Sequence, residues 1–132
     1  MPSVEASELW ASRLMPGWAK VAFSCCGAPG LLTELRQLGR PNVVVAGMET
    51  HVCVLHTTLD LLAEGLQVFV PVDAVQSRFP VDHDTALRRL ERAGAMLTTA
   101  ETVAFEWLGG SDHPQFKAVS QLIQERMKQL RG

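Results

Sequence analysis

The chemistry in this chain centres on one thiol. In "VVVAGMETHVCVLHTTLDLLAEG" an apolar run, residues 43–46, is followed by Gly47 and then by Cys53 near the start of a helical pattern. By residue type alone a free cysteine is a small buried hydrophobe. Its position argues for more. In open parallel sheets, ligands gather beyond the carboxyl ends of the strands, and the N–H groups of a helix's first turn favour a thiolate, which is the nucleophilic form.

Other candidates are weaker. Asp73, Ser77 and Arg78 fall in a loop beyond a second strand, where such side chains satisfy backbone groups first, so they are read as structural hydrogen-bonding residues. His83 and Asp84, and His113 before Pro114, sit at helix starts and are read as capping or solvated groups. The neighbours Cys25 and Cys26 form no recognisable dithiol motif. His51 and His56 are five residues apart on a helix and share no face, so no metal and no other cofactor is expected.

The elements that would position Cys53 follow from periodicity. The run "PNVVVAG" is β-branched and apolar on both faces, as an interior parallel strand should be. Leu55, Leu59 and Leu62 predict a helix over 50–64, with Thr50 as its N-cap and Gly65 as its stop. Residues 66–72 read as a buried strand, 73–80 as a polar loop, 81–95 as a helix with acids first and arginines later, and 95–99 as a short third strand. Upstream, 20–24 is at most a short strand, and Leu31, Leu35 and Leu38 predict a helix within 27–39. Two further helices follow, over 100–108 and 113–130, the second with Pro114 in its first turn and Phe116, Val119, Leu122, Ile123 and Met127 on one stripe. Strands alternating with helices imply an α/β fold, a parallel sheet covered by helices on both faces.

At 132 residues the chain suits one domain spanning 1–132. Its net charge of -2 gives no electrostatic reason to expect nucleic acid or an anionic membrane as a partner. There is no basic segment leading an apolar core at the N-terminus and no apolar run of membrane-spanning length. Three cysteines without metal or disulfide spacing are expected to be reduced thiols. These features place the chain in the cytoplasm, away from membranes and nucleic acid.

The wording from residues 20–123, above all the G-x-x-T-x-x-C-V element at Gly47 and the later D-A-x-x-S-R at Asp73, resembles the isochorismatase-like cysteine hydrolases. The resemblance implies a three-layer α/β/α sandwich. It also implies a mechanism in which a cysteine attacks an amide carbonyl, a lysine stabilises the thiolate, an aspartate shuttles the proton and a thioester is hydrolysed. Cys53 matches the nucleophile and Lys20 the lysine. A non-proline cis bond between Met48 and Glu49 is also implied, with the N–H groups of Glu49 and Cys53 forming an oxyanion hole. The presence of the cysteine favours a small amide or related carbonyl substrate over a vinyl ether.

One family element has no match. The aspartate should stand at the end of a first strand upstream of the lysine, yet the first aspartate here is Asp60. Against the family pattern the chain starts late, without the first strand and its helix. Residues 43–46 then become an open sheet edge, and pairing with a second copy in a homo-oligomer is expected to cover it. An alternative reading follows: a shortened, catalytically impaired relative serving as an oligomerisation or binding module.

Overall fold

The computed structural model describes residues 22–131, and Lys20, Trp10 and Trp18 lie outside the described residues. Among the described residues the strands are β1 (Asn42–Val44), β2 (Gly47–Met48), β3 (Gln67–Pro71), β4 (Val75–Gln76) and β5 (Met96–Thr98). The helices are α1 (Leu31–Leu38), α2 (Leu55–Ala63), α3 (Pro80–Ala93), α4 (Ala100–Leu108) and α5 (Phe116–Arg131). Of the short strand expected over 20–24, residues 22–24 are described and form a bend, and a 3-10 turn, Cys25–Gly27, follows before α1.

The strands β1, β3 and β5 form an open parallel sheet with β3 in the centre, giving the expected α/β/α arrangement. The middle strand explains why periodicity identified it: Val68 and Val70 are fully buried, and Phe69 on the opposite face is half-buried. α2 packs on β3, α3 packs on β5, and the two helices touch each other. Leu61 of α2 and Leu90 of α3 complete the core with Val68 and Val70. Burying a leucine side chain contributes about 2–3 kcal/mol, so this cluster is the main apolar support beneath the site.

The run read as one strand over 43–46 is divided. β1 pairs with β3 and then β2 pairs with β4, both in parallel. Between the two ladders the chain takes three more residues on the β3–β4 side than on the β1–β2 side. That excess loops out at residues 72–74, where Ala74 N–H donates to the carbonyl of Pro71 at 3.0 Å. The polar loop expected over 73–80 therefore contains a short strand, because its backbone must satisfy that of Gly47 and Met48. Gly47 itself has φ +121, a backbone conformation open chiefly to glycine.

Among the described residues β1 has β3 as its only strand partner, as expected for an edge. Two other expectations shift. α5 starts at Phe116, so Pro114 precedes the helix and does not occupy its first turn. Only Phe116, Val119 and Ile123 of its apolar stripe are half-buried, while Leu122 and Met127 are exposed.

Candidate active site

Cys53 lies just beyond the carboxyl end of β2, on a wide helical turn, Thr50–Val54, that leads into α2. The turn is π-helical: Val54 N–H donates to the carbonyl of Glu49 at 3.2 Å, five residues back, and Leu55 N–H reaches the carbonyl of Thr50. Such wide turns are rare and frequent at functional sites. The single regular helix expected over 50–64 is therefore corrected at its start, and Cys53 sits on the irregular part. Its side chain is half-buried. The peptide between Met48 and Glu49 is cis, at the position the resemblance implied.

Three consecutive residues ahead of Cys53 are each tied to one later segment. The Glu49 carboxylate accepts from Arg78 N–H at 3.0 Å and from Arg78 Nε at 3.3 Å. Thr50 Oγ1 is hydrogen-bonded to His83 Nδ1 at 2.9 Å. His51 Nδ1 is 2.9 Å from Ser77 Oγ, and its Nε2 stands 4.0 Å from Asp82 Oδ2. Thr50 is fully buried and makes no capping bond, so its expected role as N-cap is corrected: its hydroxyl joins the turn to α3. His83, read as a capping or solvated group, is that hydroxyl's partner.

The bonds of the 73–80 segment agree with the structural roles read for its polar residues. Asp73 Oδ1 accepts from Ala100 N–H at 2.8 Å at the start of α4, and its other oxygen is 3.7 Å from Arg126 of α5. Ser77 and Arg78 hold His51 and Glu49 as described. His113 Nδ1 accepts from Gln115 N–H at 3.0 Å, a local role near the start of α5. Cys25 N–H donates to Thr57 Oγ1 of α2 at 2.8 Å, four residues beyond Cys53.

Charges at the site are set by these contacts. The Arg78 backbone N–H, with the Arg78 guanidinium beside it, holds the Glu49 carboxyl below the usual glutamate range. Burial pushes the Cys26 thiol up, against an opposing hydrogen bond from Ser24. Among the described residues no group of three His, Cys, Asp or Glu side chains is placed to hold a metal ion.

The position of the cis peptide and the bonding role of Asp73, Ser77 and Arg78 were legible in the sequence. Sequence reasoning weighed Glu49 for its N–H and His51 only as a metal ligand, and missed their side-chain ties. The signal was present as three consecutive polar side chains immediately ahead of the apolar run Val52, Cys53, Val54 and Leu55.

A family model for the isochorismatase domain matches residues 16–102. The chain belongs to this family. It is 45% identical over 121 residues to isochorismatase domain-containing protein 2 of Bos taurus, covering 89% of this chain and 57% of the relative. A solved structure of MAR1 ribonuclease from Caenorhabditis elegans is similar at 48% identity and a TM-score of 0.71, covering 80% of this chain and 53% of that one. Nicotinamidase PncA from Bacillus subtilis is similar at 32% identity and a TM-score of 0.57, covering 60% and 44%. The chain thus spans a little over half the length of the curated relatives it matches.

The ribonuclease likeness corrects one expectation. Net charge was taken to exclude nucleic acid as a partner, yet a protein 48% identical to this chain is named a ribonuclease. Overall charge tests for an extended basic surface and says nothing of a local site. For membranes the structural statement is narrower: among the described residues no helix is long and apolar enough to cross one.

Proposed function

We propose that this isochorismatase-family chain is a cysteine hydrolase acting on a small amide or related carbonyl compound. The observation that carries the reading is the placement of Cys53, half-buried on the first turn beyond β2, where parallel α/β sheets bind ligands. The likeness to a nicotinamidase supports the same class of substrate. In this reading the Cys53 thiolate, favoured by Lys20, attacks the carbonyl carbon, and the N–H groups of Glu49 and Cys53 receive the developing oxyanion. The carbon–nitrogen bond breaks, the amine leaves with a proton, and a thioester remains. Water then attacks the thioester, giving the acid and returning the thiol. Water supplies the proton that leaves with the amine.

The test is release of ammonia from a panel of small carboxamides by the full chain and by Cys53→Ala. Turnover that falls about a thousandfold or more in the variant is expected, as for loss of a covalent nucleophile. Turnover that survives the substitution removes Cys53 from the mechanism.

A second reading is favoured by the ribonuclease likeness: the substrate is an RNA phosphodiester, with His51, His83 and Arg78 as the neighbouring acid–base and cationic groups. Cleavage of a labelled RNA that persists in Cys53→Ala and is lost in His51→Ala would select it over the amidase reading.

A further inference from the structure

We propose that His51 is a positioning residue for Cys53, acting through Ser77. This rests on the reading of Cys53 as the nucleophile.

A turn closed by bonds to the fifth residue back is an uncommon local choice, and an ordinary helical start is the usual alternative for the same residues. What distinguishes this turn is that Glu49, Thr50 and His51 are all bonded to residues between Ser77 and His83. The three ties differ in kind. The Arg78 side chain holding Glu49 is 77% exposed, which screens its attraction. Thr50 and His83 join at the base of the turn, where Thr50 is fully buried. His51 is nearest to Cys53 in the chain, and its Nδ1 is hydrogen-bonded to Ser77 just before α3, with Asp82 Oδ2 4.0 Å from Nε2.

The Ser77 hydroxyl can donate or accept, so its bond to His51 Nδ1 forms with either tautomer of the ring. The ring is thereby held to the segment that leads into α3. A tether on His51 at the middle of the turn restrains the backbone two residues on, where Cys53 and its N–H must both face one substrate carbonyl. Loss of the tether leaves a thiol that still reacts but no longer reacts in register with the oxyanion donors.

The experiment compares two reagents on the full chain, each cysteine being read by mass spectrometry. p-Nitrophenyl acetate acylates a thiolate through a tetrahedral oxyanion, forming a carbon–sulfur bond and expelling p-nitrophenolate. Iodoacetamide alkylates by displacement of iodide and needs no oxyanion donor. The ratio of acylation to alkylation at Cys53 therefore reports register, with Cys25 and Cys26 as internal controls. His51→Ala and Ser77→Ala are each expected to lower that ratio about tenfold, and the double variant by no more than either alone, because the two act as one unit. His51→Asn, whose Oδ1 can accept from Ser77 in place of Nδ1, is expected to restore most of it.

An unchanged ratio in folded His51→Ala, or single effects that multiply in the double variant, overturns the positioning role while leaving Cys53 as nucleophile. Should His51→Ala not fold, Ser77→Ala and His51→Asn carry the same decision: an unchanged ratio in Ser77→Ala overturns the role. A native Cys53 acylated no faster than Cys25 and Cys26 overturns the nucleophile reading and the positioning role with it.

Discussion

Two fully buried threonines, Thr50 and Thr58, set up a controlled comparison. Thr50 Oγ1 is bonded to His83, whereas among the described residues Thr58 Oγ1 has no partner. Valine has nearly the shape of threonine and a similar helix propensity, so Thr→Val isolates the hydroxyl. Removing a bonded hydroxyl forfeits the bond and leaves the His83 nitrogen unsatisfied, at a cost of about 1–2 kcal/mol. Removing an unbonded buried hydroxyl relieves its desolvation, a gain of about 1 kcal/mol. The expected signs are opposite: Thr50→Val destabilises and Thr58→Val stabilises. Urea unfolding measures both. With a slope of about 1–3 kcal/mol per molar for a protein of this size, the midpoints should separate by about 1 M at unchanged slope. If Thr58→Val lowers the midpoint as far as Thr50→Val does, the Thr58 hydroxyl is bonded in solution and the reasoning fails.

Two further outcomes can be checked by the same assay. Glu49 has its carboxyl held below its ordinary value of 4.5, so its contribution to stability is present above that value and is lost as pH falls through the lower folded one. The urea midpoint should therefore fall less between pH 6 and below pH 4 for Glu49→Gln than for the native chain, and an equal fall in the two would refute the assignment. Leu90→Ala removes a fully buried side chain from the contact of α3 with the core, and a loss of about 2–5 kcal/mol is expected. A shift well below 1 kcal/mol would mean that α3 does not pack there in solution.

Much of the layer architecture was legible because it depends on repeated local patterns. Val68 and Val70 on one face and Phe69 on the other announce a strand covered on both faces, and the leucines at 55, 59 and 62 announce α2. The start of α2 was not legible. Thr50 is a good N-cap by type, but its hydroxyl is claimed by His83, 33 residues away, and that choice is made by tertiary packing. Likewise β4 exists only because Gly47 and Met48 lie alongside it, and two residues carry no period of their own. The site was legible where a motif specified it, at the cis bond, and illegible where it depends on which side chains of two distant segments meet. The Lys20 assignment rests on the resemblance alone, because that residue lies outside the described part of the chain.

The reach of Asp73 has a consequence for how the molecule opens. This one carboxylate, on the excursion between β3 and β4, holds the first amide of α4 with one oxygen and faces Arg126 of α5 with the other. The two helices it holds leave Trp107 72% exposed and Leu130 80% exposed, so little apolar surface assists that hold. Contiguous segments with few buried contacts exchange their amide hydrogens as cooperative units of low stability. α4 and α5 should therefore behave as one such unit, released by Asp73→Ala, with faster exchange throughout both helices while the amides of β3 keep their protection. In that sense the segment whose later residues grip the turn before Cys53 also moors the C-terminal helices through its first residues.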